Sequence, residues 1–310
     1  REQNALRVES SDGVHCTGKT LLMTNDDFPA DMTNHVRDPQ IILQDGRLYM
    51  LLGARTQEDI GCALVYASTD GCHFHLVNRL STKEPFGYMW ECPDLAIVNG
   101  QPLFLCCPQG IAHEPFRYQD SHQCGAFPLT GDFTSHAVLG AFQPFDYGFD
   151  LYAARTLKAD DGRVLLLAWM GMSEADYGQN PSAERGWDQA IALPRELHWK
   201  DPQTSQDVAI HLFEDAVLRF HSAEGILTLE MGPLCGAGRT VRRMKLKQLE
   251  ELDLYLDHST LEVFVNGGYA VLTSRIFGTD DTITLDAFSG SLDFWHMNAF
   301  VIDDARENGV

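Results

Sequence analysis

Basic residues are scarce in this chain. Its 23 lysines and arginines stand against 44 aspartates and glutamates, a formal net charge of −21, so a nucleic-acid backbone or an anionic membrane surface would be repelled. Long apolar runs are missing too. The longest, Val164 to Met172 (VLLLAWMGM), is far shorter than the roughly 20 residues that span a bilayer, and no membrane segment is expected. The opening stretch REQNALRVESSDG lacks the charged, apolar and small-residue regions of a signal peptide, as a processed chain also would. The eight cysteines show no paired CxxC spacing, which points to reduced, mostly buried thiols and a cytoplasmic protein. No Gly-rich phosphate loop or nucleophile elbow is present, and no cofactor is expected. His73 and His75 share one strand face but have no further ligand in register, so no metal is expected either. Neutral polar ligands remain, on a 310-residue chain whose 44% hydrophobic content can fill a large core.

Helix signals are few, whereas short apolar runs bounded by turn residues recur throughout. In 40–54, 62–77, 95–107 and 155–171, two such runs flank an Asp-Gly or Asn-Gly pair, the turn chemistry of a right-twisted hairpin. The fold class is therefore all-β and antiparallel. Three acidic motifs head successive groups of about four strands: Arg37-Asp38-Pro39, Trp90-Glu91-Cys92-Pro93-Asp94 and Phe149-Asp150-Leu151-Tyr152. Asp38, Glu91 and Asp150 stand 53 and 59 residues apart, the repeat length of a β-propeller blade, and the spacing predicts that all three acids open inner strands facing one funnel. Beyond about Asp207 the chain alternates strictly between apolar and polar residues, as a sandwich sheet packed on one side does. A boundary is expected near 198–207, dividing the chain into a propeller over 1–200 and a sandwich over 201–310.

A sugar-cleaving site needs two carboxyl groups about the scissile bond, one of them able to hold a proton near neutrality. Glu91 is the candidate acid. Its neighbours Met89, Trp90, Cys92 and Pro93 suggest an apolar wall that would raise its pKa by desolvation. Asp38, beside the Arg37 cation, should stay ionised and stabilise positive charge or bind hydroxyls. Tyr88, Trp90, Tyr147, Tyr152 and Trp169 offer the flat faces that sugars prefer. Taken singly, Glu91 reads as a satisfied strand-start acid and Arg37-Asp38 as a local ion pair; the three acids at blade spacing favour a site.

These residues resemble a known family. Asn34-His35-Val36-Arg37-Asp38-Pro39, Gly87-Tyr88-Met89-Trp90-Glu91-Cys92-Pro93-Asp94, Asp146-Tyr147-Gly148-Phe149-Asp150-Leu151-Tyr152-Ala153, Ala168-Trp169-Met170-Gly171, Leu193-Pro194-Arg195-Glu196-Leu197 and Leu254 to Gly268 are similar, in order, to the motifs of glycoside hydrolase family 32, the invertases and sucrose-6-phosphate hydrolases. The resemblance covers about residues 35 to 300. It implies a five-bladed β-propeller followed by a β-sandwich, and retaining hydrolysis of terminal β-fructofuranosides. It also implies Glu91 as acid/base, Asp38 as transition-state stabiliser, and Arg37, Trp90, Cys92, Asp150, Tyr152 and Trp169 as substrate-binding residues. The implied partner is a small carbohydrate, with no nucleic acid or membrane.

Two departures shape the expectations. The family's nucleophilic aspartate lies well upstream of the RDP motif, and no equivalent is found in this chain. Asn25-Asp26-Asp27 copies its letters but sits in the loop entering the same blade, and the expected propeller is N-terminally incomplete unless a missing segment or second chain completes it. The stretch from Leu197 to Leu218 is also short. The alternatives are a catalytically inactive fructan- or sugar-binding module on the same fold and, disfavoured by Glu91-Cys92, an arabinofuranoside hydrolase.

Overall fold

The computed structural model describes residues 3–178, 180–197, 207–279 and 282–287. Strands dominate. A short ribbon pairs β1 (Ala5–Arg7) with β2 (Thr20–Met23). Three meandering sheets follow. The first runs β3 (Met32–Gln44), β4 (Arg47–Thr56), β5 (Gly61–Ser68), β6 (His75–Leu80). The second holds β7 (Met89–Val98), β8 (Gln101–Gln109), β9 (Gly125–Asp132) and β10 (His136–Leu139), with β11 (Gln143–Pro144) also on β9. In the third, β12 (Tyr152–Lys158) pairs β13 (Val164–Met170), which carries both β14 (Ala190–Ile191) and β15 (Arg195–Glu196).

The expected hairpin turns are where the sequence placed them. Asp45-Gly46 joins β3 to β4 and Asn99-Gly100 joins β7 to β8, and all four residues adopt positive φ, which a tight two-residue hairpin of this twist requires. A second repeat lies in the turns. Ser10-Ser11-Asp12-Gly13-Val14-His15 and Ser68-Thr69-Asp70-Gly71-Cys72-His73 fold alike: the serine hydroxyl caps the glycine N–H, one aspartate oxygen takes two successive backbone N–H groups, and the other meets the histidine Nδ1. Since the second copy turns β5 into β6, the ribbon β1–β2 has the form of a blade's outer hairpin. It also accounts for His73, whose imidazole sits on Asp70 in an exposed turn.

The sheets stack face to face. Tyr49, Leu51, Ala63 and Val65 of the first close on Trp90, Phe104 and Phe127 of the second. Val98, Leu105, Cys107 and Ala126 of the second close on Tyr152, Ala154, Leu166 and Ala168 of the third. Each fully buried large side chain there contributes about 1.5–3 kcal/mol. Close approach is decided at Gly53: a Cβ would lie 2.0 Å from the Trp90 carbonyl oxygen. Because Gly53 pairs with Arg37, Gly53→Ala should push the second sheet off the first and destabilise the protein by about 1–3 kcal/mol, measured as a lowered urea midpoint.

The remaining strands build two further sheets. One has the order β19-β18-β17-β16-β23, from β16 (Val208–Leu212), β17 (Ala216–His221), β18 (Ile226–Met231), β19 (Val241–Lys245) and β23 (Ile283–Ala287). The other is β20 (Leu252–Asp257), β21 (Thr260–Val265), β22 (Ala270–Arg275). Leu212, Leu218, Leu227 and Leu229 of one meet Leu261, Val263, Val265 and Leu272 of the other, a sandwich core with polar residues outside. The basic run from Arg242 is part of β19, with Met244 buried and Arg243 exposed. Most of the boundary expected near 198–207, and Trp199 with it, lies outside the described residues.

Candidate active site

Each blade sheet begins with a strand carrying the same irregularity. Between Arg37 and Gln40, Glu91 and Asp94, and Tyr152 and Arg155, two residues oppose one on the partner strand, which is a β-bulge. In all three the first bulged residue has positive φ: Asp38 at 63°, Cys92 at 49° and Ala153 at 53°. Such non-glycine conformations are uncommon, and a side chain is re-aimed wherever the strand bends. The structurally equivalent positions are thus Arg37, Glu91 and Tyr152, which precede the bulges, and not the three acids that the spacing suggested.

Those three side chains meet. Arg37 donates to Glu91 Oε1 through Nε at 3.1 Å and Nη2 at 2.5 Å. Tyr152 Oη donates to Glu91 Oε2 at 2.5 Å, and Gln109 Nε2 donates to the same oxygen at 3.0 Å. His35 Nδ1 accepts from Arg37 Nη1 at 2.8 Å and steadies the guanidinium. Glu91 is only partly buried, and its carboxylate is ringed by donors rather than by the apolar wall expected. The reason is alternation: Trp90 points to the opposite face, fully buried, with Nε1 bonded to the Phe86 carbonyl at 2.7 Å. Trp90 therefore belongs to the core between blades and not to a sugar platform.

Burial pushes the Tyr152 phenol pKa up, with nearby Cys107 and the Glu91 carboxylate adding to the effect. It stays protonated and donates. Cys107 beside it, together with burial, pushes the Cys92 thiol up as well, so Cys92 is no nucleophile; its side chain packs against the core while its backbone N–H holds Asp38 Oδ2 at 3.0 Å. Asp38 is thereby tied to the acid's own strand. It makes no ion pair with Arg37, which is taken by Glu91. Its other oxygen has no hydrogen-bond partner among the described residues.

Behind the bulges the blades are laced. Gln40 donates to Asp94 Oδ1, and Asp94 Oδ2 accepts from the N–H and hydroxyl of Thr156. Arg155 reaches the carbonyls of Pro93 at 2.5 Å and Asp38 at 3.1 Å. Asp94 and Arg155 thus serve positioning, and Arg117 is paired with Glu114 at 2.6 Å.

Asp150 is elsewhere. It is 1% exposed, and its oxygens accept from Arg239 Nε at 2.7 Å and Nη2 at 2.8 Å, from Tyr177 Oη at 2.8 Å and from the Arg275 N–H at 2.8 Å. Two residues before the strand that carries Tyr152, it faces the sandwich, so it is a junction residue rather than a substrate ligand. Tyr147 also packs against the sandwich core. Asp146, Arg195, Glu262 and Thr273 make a second junction cluster, with Arg195 Nη2 2.9 Å from Asp146 and 3.2 Å from Glu262. Trp169 lies opposite Tyr152 on β13, its buried Nε1 without a partner among the described residues.

Asn25–Asp27 forms a 3₁₀ turn in which Asp27 Oδ2 caps the Thr24 N–H at 2.8 Å. Asp27 is committed to its turn, and Asp26 is exposed. Gln109 and His122 carry no local sequence signal of a site. Gln109 reaches Glu91 because the bulge shifts the hairpin register, which the turn at Asn99-Gly100 alone does not reveal.

Known proteins resemble this chain over most of its length. A sucrose-6-phosphate hydrolase of Bacillus subtilis (strain 168) is 29% identical over 329 residues, covering 89% of this chain and 68% of its own length. A probable sucrose-6-phosphate hydrolase of Psychromonas ingrahamii is 31% identical, covering 93% of this chain and 61% of its own length. The chain thus spans about three-fifths to two-thirds of these relatives. Among solved structures, a sucrose-6-phosphate hydrolase from Lactobacillus gasseri superposes with a TM-score of 0.80 at 24% identity, covering 91% of this chain and 69% of its own, and shares the fold. A Bombyx mori GH32 β-fructofuranosidase gives 0.72 at 25% identity, covering 89% of this chain and 68% of its own. With residues 1–209 matching the glycosyl hydrolases family 32 N-terminal domain and residues 217–299 the family's C-terminal domain, the chain belongs to glycosyl hydrolases family 32.

Proposed function

We propose that the chain carries the acid/base and stabilising groups of a β-fructofuranosidase, which hydrolyses terminal fructofuranosides such as sucrose or sucrose 6-phosphate with retention. The observation that carries the reading is the convergence of Arg37, Glu91 and Tyr152 from equivalent bulges of three blades. Glu91 would protonate the glycosidic oxygen and later take a proton from water. Asp38, held by the Cys92 N–H with one oxygen left over, suits binding of a ring hydroxyl and stabilisation of the positive charge that develops on the sugar. Tyr152, kept protonated by burial, offers a hydrogen bond that strengthens as Glu91 becomes a carboxylate. Trp169 would close the pocket beside it.

The retaining route needs a second carboxylate on the opposite face of the sugar. We assign that role to no described residue, and the capping of Asp27 supports keeping it out of the reaction. The division into a propeller over 1–200 and a sandwich over 201–310 is part of the same reading. The eight cysteines, all free thiols, are compatible with the reducing cytoplasm, and no described helix is long and apolar enough to cross a membrane. The test is release of fructose from sucrose and from sucrose 6-phosphate, followed by proton NMR. Release of β-fructofuranose first is the expected outcome; binding of both sugars without release from either would overturn it.

A further inference from the structure

One buried side chain beside the acid has no task so far. His122 is 4% exposed, and neither ring nitrogen has a hydrogen-bond partner among the described residues. A buried polar group left unpaired costs free energy, and native structures keep few of them without a functional reason. Its position is set by pairing with Gln109, whose side chain reaches Glu91, and its ring packs on Tyr152 with centroids 5.9 Å apart. The carboxylate of Glu174 stands 3.4 Å from Nε2, outside hydrogen-bond geometry. Glu174 is itself 78% exposed, and among the described residues the hydrogen bond it makes is the one from Ser121 Oγ to its backbone carbonyl, so its side chain can turn away without disturbing packing.

The two oxygens of Glu91 divide the surroundings. Oε1 faces Arg37, on the strand of Asp38, the residue assigned to the fructosyl hydroxyls. Oε2 faces Tyr152 and Gln109, and His122 lies on that side. A group that protonates a glycosidic oxygen stands between the sugar being transferred and the one departing, so the Oε2 side belongs to the departing one. We propose that His122 is a specificity-determining residue that hydrogen-bonds a hydroxyl of the leaving group once the Glu174 side chain turns aside; this rests on the fructofuranosidase reading above.

The test compares sucrose, whose leaving group is a polyol ring, with methyl β-D-fructofuranoside, whose leaving group has no hydroxyl to offer once bonded. Affinities are measured by calorimetry in the Glu91→Gln background, so that neither sugar is consumed. His122→Phe keeps the ring packing on Tyr152 and removes both nitrogens. It should weaken sucrose binding about tenfold and leave the methyl fructoside within about twofold, while His122→Gln restores most of the loss. Equal losses for both sugars would make His122 a packing residue and overturn the proposal, as would no change for either. If the His122-containing protein binds neither sugar, the functional reading itself falls and the proposal with it.

Discussion

Glu91→Gln should lower kcat for sucrose hydrolysis about 10²- to 10⁴-fold while leaving sucrose affinity within a few-fold. Glutamine keeps the volume and can still accept from Tyr152 and Gln109, but it cannot deliver a proton to the glycosidic oxygen or recover one from water. The fold should tolerate the change. Glu91 is partly exposed, so the Arg37 guanidinium left without its partner retains access to water and to His35. The decisive measurement is kcat/KM across pH with calorimetric Kd alongside. Full activity in the variant would remove Glu91 from the chemistry, and a collapse of the melting temperature would make it a structural acid.

Asp150→Asn should do the reverse. The family resemblance implies a sugar ligand at this position, whereas the structure surrounds Asp150 with Arg239, Tyr177 and the Arg275 N–H in a site without solvent access. Removing one charge of a fully buried pair leaves the other uncompensated, and about 3–5 kcal/mol of stability should be lost. The Arg239 guanidinium also lies over the Tyr177 ring, 4.0 Å from its centroid, and has little room to find another partner. The expected result is a large drop in the denaturant midpoint with sugar affinity unchanged under conditions where the variant is folded. Weakened sugar binding at unchanged stability would return Asp150 to the pocket.

These two carboxylates show how far local patterns reach. Both follow an aromatic residue, stand near the head of a blade and fit blade spacing. They differ because Glu91 directly precedes a bulge and Asp150 stands two residues before the equivalent position, Tyr152. A bulge has no strong sequence signature when its positive-φ residue is Asp38, Cys92 or Ala153 instead of glycine. Trp90 fails for a related reason. In a strand the neighbour of a site residue faces the other way, and here that way is the core between two blades.

What the sequence determined by itself is local and periodic: the hairpins at Asp45-Gly46 and Asn99-Gly100, the all-β class, the four-strand repeat and the sandwich alternation. Turn chemistry and period-two burial act over a few residues, so they can be read from a few residues. Tertiary structure alone decided the partners. Arg37, Glu91 and Tyr152 are brought together across 115 residues of chain because three strands break register at the same point. Gln109 enters through a shifted pairing, and Asp150 turns to the sandwich because Arg239, 89 residues away, waits there in a buried junction. Those contacts depend on how sheets stack and where strands bend, and that information is distributed over every residue of the packed faces rather than held in any motif.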